Sequence, residues 1–222
     1  MIDQLKGWLA IQFAKRFDRI YNIDTFGQQS VSQSIITSPS KVHGQGFGSI
    51  PVGSFRALMR RLPYKKNEFV FIDYGCGKGR ALFLAAEHDF GEVVGVEYAA
   101  DLANIAKRNI ELSSNEFRMH IACIEIDAVD YDIPDDRACL LFLYSPFQGP
   151  ILDEVLHKIA QSHRQSPRAM ILCYARQRSR HSPNHRSAIT ANPAFAQIGE
   201  VFSPFDLGAL PAIEFTLFKV GI

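Results

Sequence analysis

Three features of this sequence predict an α/β chain with a doubly wound, mostly parallel seven-stranded sheet that ends in an antiparallel strand pair. From about residue 51, apolar strand-like runs alternate with helical patterns, a glycine-rich turn (DYGCGKG) joins the first run to a helix, and the last two runs have no helix between them. The runs are EFVFID, EVVGVE, FRMHIACIEI, ACLLFLYS, RAMILCYA, FAQIGEVF and IEFTLFKV, all rich in Val, Ile, Phe or Leu. Between them ALFLAAEH, ADLANIAKRNIEL and ILDEVLHKIAQSH read as helices, and PVGSFRALMRRLP ahead of them starts near Pro51 and stops at Pro63. FAQIGEVF and IEFTLFKV are separated only by SPFDLGALPA, so they are expected to pair antiparallel.

The N-terminus has Leu5, Trp8, Leu9, Phe13, Phe17 and Ile20 at helical spacing, interrupted by Asp3, Lys6, Lys15, Arg16 and Arg19. No apolar stretch approaches the roughly 20 residues of a membrane helix, so no membrane span is expected. Packing onto the domain, or against a second copy as in a homodimer, is the expected use of this stripe, ahead of a membrane surface. The following GQQSVSQSIITSPSKVHGQGFGS reads as a long loop, and loops of this length tend to be lids or binding segments. Residues 1–50 are therefore expected to be an amphipathic helix with a lid-like loop, and residues 51–222 the α/β domain. With 222 residues, 47% hydrophobic and 21% charged, the chain has material for one large core rather than two. A net charge of +1 gives no global reason for a nucleic-acid or membrane partner. Cys76, Cys123, Cys139 and Cys173 lie far apart, which suits a reduced, cytoplasmic protein with no metal site.

The glycine turn carries the functional signal. In open α/β sheets the ligand crevice lies beyond the carboxyl ends of the strands, and the first strand-to-helix turn brings the backbone closest to a cofactor. Gly75, Gly77 and Gly79 remove obstructing side chains there and permit positive φ. A phosphate loop would need Ser or Thr after Lys78, where Gly79 stands, and a dinucleotide fingerprint would need glycine where Arg80 stands. Asp73 would also set a carboxylate against a pyrophosphate. The same acid suits a cofactor that brings a cation, as S-adenosylmethionine does. Glu97 ends the next strand pattern, where an acid can accept hydrogen bonds from both ribose hydroxyls.

From Asp73 to Gly79 the sequence resembles motif I of the class I S-adenosylmethionine-dependent methyltransferases, and Glu97 resembles their ribose-binding acid. The resemblance spans roughly Phe47 to the C-terminus. It implies cofactor contacts from Asp73, Gly75, Cys76, Gly77, Gly79, Glu97 and Tyr98, with Asp127 and Ala128 against the adenine. Tyr144-Ser145-Pro146-Phe147 is similar to the N/D-P-P-Y/F motif beside the transferable methyl, which makes Tyr144, Ser145 and Phe147 the catalytic candidates and a tight post-strand turn the plainer reading. Ile126 stands where glycine is common in the family, and Ser145 where Asn or Asp is common; a hydroxyl is a weaker, shorter acceptor, which argues against N-methylation of an adenine or glutamine type. FDRIYNIDTFG, GCGKGRALFLAAE and LYSPF together are similar to small bacterial methyltransferases. The implied activity is methyl transfer to a protein side chain or small molecule, with a non-catalytic module that binds S-adenosylmethionine or S-adenosylhomocysteine as the alternative.

Other features are less specific. The segment 37–54, with Phe47, Ser49 and Pro51, is a candidate cover for the methionine end of the cofactor or a plain surface connection. Arg176, Arg178, Arg180 and Arg186 follow the fifth strand, where they would suit an acidic substrate or a nucleic-acid backbone, a reading not favoured over solvated surface. His181 and His185 have a helical metal spacing, but Ser182 and Pro183 between them favour a turn. Acids outnumber bases from Glu87 to Glu154, so a basic protein substrate is a further option.

Overall fold

The computed structural model describes residues 2–178, 185–203 and 212–221. Arg180, His181 and residues 204–211 of the last connection lie outside them, as do the side chains of Leu5 and Leu9. Helix α1 spans Ile2–Tyr21; among its described side chains Phe17 is buried, whereas Trp8, Phe13 and Ile20 are exposed. The described part of the expected packing stripe therefore has one buried anchor, Phe17. Residues 27–50, read from sequence as a loop, are ordered by a two-stranded pairing of β1 (Gln28–Gln29) with β2 (Phe47–Gly48) and by two 3-10 turns.

Helix α2 (Val52–Arg61) leads into β3 (Phe69–Tyr74), α3 (Arg80–Ala86), β4 (Glu92–Glu97) and α4 (Ala100–Leu112). The expected strand FRMHIACIEI divides into helix α5 (Asn115–His120) and strand β5 (Ile121–Glu125). Glu116 in the first turn and Arg118 and His120 in the last match the helix dipole. Phe117 packs edge-on against Tyr21 and Phe83 instead of joining the ladder. Strand β6 (Ala138–Tyr144), helix α6 (Pro150–Gln165), strand β7 (Met170–Gln177), the short α7 (Arg186–Ala191), β8 (Phe195–Ser203) and β9 (Ile213–Val220) complete the chain.

The main sheet has seven strands in the order β5-β4-β3-β6-β7-β9-β8. Strands β3 to β7 are parallel, while β9 lies antiparallel between β7 and β8, as the closing pair predicts. Alternate residues of β3 feed two cores. Phe69 and Phe71 join Phe55 and Leu58 of α2 and Phe83 of α3 on one face, and Val70, Ile72 and Tyr74 join Leu152, Val155 and Ile159 of α6 on the other. Burial on both faces explains why the central strands read as continuous apolar runs. The chain winds outward from β3 to β5, then returns to place β6 on the other side of β3, so the topological switch point lies between the ends of β3 and β6. Asp73 and Tyr144 stand on either side of it.

Candidate active site

The turn after β3 is shaped by close approach as well as by backbone angle. Gly75 has φ +76, and a Cβ there would stand 2.5 Å from Pro146 Cβ; Gly77 has φ +56, and a Cβ there would enter the Phe47 ring. Glycine is thus required twice over, by conformation and by space. Gly79, also at positive φ, starts α3, donating its N–H to the Cys76 carbonyl at 2.9 Å. Gly77→Ala is expected to displace Phe47 and to cost about 1–2 kcal/mol from the left-handed backbone alone. Thermal unfolding should register the loss, and faster hydrogen exchange confined first to residues 45–49 would identify Phe47 as the part displaced.

Glu97 turns its carboxylate back onto this loop. Oε2 accepts the Gly77 N–H at 2.8 Å and Oε1 accepts the Ala99 N–H at 2.9 Å. Burial raises its pKa from 4.5 to about 6, against the lowering effect of these backbone hydrogen bonds, so it is largely ionised at neutral pH. Asp73 is 3% exposed and its side chain accepts no hydrogen bond among the described residues; burial, then the Glu97 charge, pushes its pKa well up. Tyr98 Oη is buried without a partner, and burial raises the phenol to about 12. An unpaired carboxyl, an unpaired phenol and a carboxylate with lone pairs to spare thus converge on one cleft, which is lined by Asp73, Gly75, Cys76, Gly77, Glu97 and Tyr98 together with Tyr144 and Pro146.

Asp127 and Ala128 line an adjoining cavity with Val96, Tyr98, Ile126 and Phe147. Phe147 therefore stands on the side of Asp127, apart from the other two catalytic candidates. Tyr144 separates the cleft from an outer cavity, which Ser145 also lines. Ser145 has φ +43 and a hydroxyl engaged with strand β7: it donates to the Ala175 carbonyl and lies 3.1 Å from the Tyr174 hydroxyl, which accepts the His185 N–H. Such a backbone costs about 1–3 kcal/mol in a residue other than glycine, and these bonds hold it.

Residues 27–50 cover the mouth of the cleft. Their backbone is tied on the β4 side by Ala100 N–H to the Ile35 carbonyl (2.9 Å) and on the β6 side by Gln45 N–H to the Pro146 carbonyl (2.9 Å). Ser38 donates to Asp127, and Gly44 bridges Phe147. This cover is anchored behind the glycine turn by residues that sequence reasoning did not single out. Arg80 is 3% exposed, pairs with Asp18 at 3.0 Å, donates to Thr25 Oγ1 at 2.8 Å and lies between the Phe17 and Phe26 rings. Asn109 joins Asp24 to the Lys78 carbonyl. A charged residue inside the run GRALFLAA was the available signal for Arg80; Asn109 offered none.

The basic cluster after β7 is largely neutralised where it is described. Arg176 and Arg186 both pair with Glu214, and Arg186 pairs also with Glu200, while Arg178 lies over the Phe202 ring. These contacts weigh against a phosphate-binding patch built on Arg176 and Arg186.

Residues 65–167 match the family model described as a methyltransferase domain. No curated protein matches the chain. Among solved structures, a putative RNA methyltransferase from Pyrococcus horikoshii aligns with a TM-score of 0.58 at 14% identity over 98% of both chains. The N-methyltransferase NodS from Bradyrhizobium japonicum WM9 aligns with a TM-score of 0.56 at 12% identity, over 78% of this chain and 98% of its own. The magnesium protoporphyrin IX methyltransferase from Synechocystis PCC 6803, solved with bound S-adenosylmethionine, aligns with a TM-score of 0.52 at 13% identity, over 77% of this chain and 79% of its own. At these identities the structural likeness establishes the fold, a Rossmann-like sheet with an antiparallel ending. Within that fold, residues 65–167 carry the match to a methyltransferase domain, and the chain is similar in architecture to methyltransferases of known structure.

Proposed function

We propose that the covered cleft binds S-adenosylmethionine and that the chain transfers its methyl group to an acceptor entering from the outer cavity beside Tyr144. The observation that carries this reading is Glu97: a buried carboxylate held by two backbone N–H groups at the end of β4, facing the glycine turn. Its remaining lone pairs suit the two hydroxyls of a ribose. Asp73, whose carboxyl is unpaired, would receive the cofactor's ammonium, and the attraction would restore its charge against the cost of burial. Tyr98, Asp127 and Ala128 would flank the adenine, with Ser38 giving up its bond to Asp127. When bound, the cofactor supplies a methyl group already activated on a sulfonium, so the chain has to hold the two reactants in line and exclude water. The cover formed by residues 27–50 serves the second task. The acceptor class that this leaves open is a protein side chain or a small molecule.

Calorimetry with S-adenosylmethionine and S-adenosylhomocysteine tests the reading. Saturable one-to-one binding of both is expected, followed by radiolabel transfer from the methyl donor in an acceptor screen. Folded protein that binds neither ligand would refute the assignment of the cleft.

A further inference from the structure

The outer cavity has a chemistry of its own. It is an open depression of about 500 Å³ beside the cleft, a volume typical of small-molecule sites, and shares Gln45, Gly46, Phe47, Gly48 and Tyr144 with it. Its wall is supplied by β1, β2 and the ends of β6 and β7. Five glutamines line it, and none of the lining side chains carries a formal charge. Two of the five are engaged with neighbours: Gln29 donates to Asp101 outside the lining, and Gln33 accepts from Ser30 within it. The side chains of Gln28 and Gln45 make no hydrogen bond among the described residues. Gln177 Nε2 donates to Tyr144 Oη at 3.1 Å, which leaves its carbonyl oxygen and second N–H free.

We infer that this glutamine-lined cavity is the acceptor site and that it selects an uncharged polar acceptor, an amide or a hydroxyl, over an ammonium, a carboxylate or a phosphate. The inference rests on the reading of the neighbouring cleft as the cofactor site. An amide wall offers donors and acceptors in equal measure and so matches a group that has both. A charged group entering it would lose hydration with no counter-charge in the lining to compensate. Of the described arginines in or after β7, Arg176 and Arg186 are paired with Glu214 and the exposed Arg178 lies over the Phe202 ring, and none of the three lines the cavity. Tyr144 fixes the orientation. Its oxygen already accepts from Gln177, so its proton is directed to the ligand, and burial raises the phenol to about 12, which keeps that proton in place. Gln177 acts here as a positioning residue, through Tyr144. The class so selected includes the amide acceptors that Ser145 on its own argued against, because the amide recognition comes from the glutamines and not from the post-β6 turn.

The test compares three probes built on one scaffold: N-acetylglutamine amide, N-acetyllysine amide and N-acetylglutamate amide, with methyl glucoside as a neutral hydroxyl probe. Each is titrated into isotope-labelled protein saturated with S-adenosylhomocysteine and followed through the side-chain amide signals of Gln28, Gln45 and Gln177, assigned by single Gln→Asn variants. At least one neutral probe is expected to shift these signals saturably and to bind at least about tenfold more tightly than either charged analogue, a difference of about 1.4 kcal/mol. Tyr144→Phe should weaken that probe about fivefold to tenfold, the worth of one hydrogen bond. Gln177→Leu should weaken it too while leaving S-adenosylhomocysteine affinity unchanged, a split that a general loss of folding would not produce. Equal or tighter binding of a charged analogue, or no binding of either neutral probe to the S-adenosylhomocysteine complex, overturns the inference alone. Failure of S-adenosylhomocysteine itself to bind overturns the cofactor reading as well.

Discussion

Replacing Glu97 by Gln is expected to weaken S-adenosylhomocysteine binding about 100-fold while the protein stays folded. The substitution keeps the shape and removes the charge. An amide can still accept one of the N–H groups of Gly77 and Ala99, but its NH2 then faces the other, and the charge-assisted bonds to a ribose are lost. Hydrogen bonds to a charged group are worth about 1.5–3 kcal/mol each, so losing one or two accounts for the factor. The pH dependence supplies an independent check. Glu97 is raised from 4.5 to about 6 chiefly by burial, so between those values the folded protein holds the proton more tightly than the unfolded chain does. Its contribution to stability is accordingly full below about pH 4.5 and is lost as pH rises through 6; a shift of that size is worth about 2 kcal/mol. Ligand binding runs in the opposite sense because it needs the carboxylate. Affinity should be level above pH 7 and fall by up to about tenfold per unit below pH 6. In Glu97→Gln that slope should flatten, leaving only what Asp73 contributes. Calorimetry across this range reads both effects, and a variant within threefold of wild type would remove Glu97 from the cofactor site.

The fold was legible because its signals are local and repeated. Strands buried on both faces must be apolar throughout, so β3, β4, β6 and β7 stood out, and IEFTLFKV coincides with β9 residue for residue. FRMHIACIEI misled for a physical reason. Phe117, Met119, Ile121 and Cys123 alternate as strand residues do, but Phe117 serves a helix packed on Tyr21, and Met119 is 83% exposed. The residues that line the cleft could be grouped from sequence because the glycine turn and its two acids lie close together in the chain. What closes and anchors the site comes from afar: Asp18 to Arg80, Asp24 to Asn109, Ser38 to Asp127 and Gln45 to Pro146 are pairs of one polar group with another across 62 to 101 residues. Nothing in local periodicity marks such partners. Ser145, a candidate for the acceptor wall from its place in a family-like motif, lines the outer cavity, and the bond of its hydroxyl to β7 is again a long-range partner that local pattern does not mark.

The largest effect on stability is expected at Arg80, where the anchor of the cover and the glycine turn meet. Arg80→Met keeps an unbranched apolar stem and removes the guanidinium that lies against the Phe17 and Phe26 rings. Asp18 is then left nearly buried, still accepting from the N–H groups of Thr25 and Phe26 but without its counter-ion. Breaking a buried pair from one side costs about 3–5 kcal/mol, which for a chain of this size lowers Tm by about 6–20 °C. The cause is separable from lost packing by a double-mutant cycle. Asp18→Asn alone should also destabilise, but Asp18→Asn combined with Arg80→Met should cost about 0.5–3 kcal/mol less than the sum, because the orphaned charge is gone. Strict additivity would mean that the pair contributes nothing beyond its separate contacts. Arg80 also lines the cleft, so Arg80→Met has a second consequence. With residues 17–27 loosened, the cover over the cleft loses its anchorage at one end, and hydrogen exchange should quicken at residues 22–50 before it does in β3 or β6. Exchange that quickens uniformly instead would mean that α1 and the cover belong to the same cooperative unit as the sheet, and that Arg80 stabilises the whole domain and not its closure.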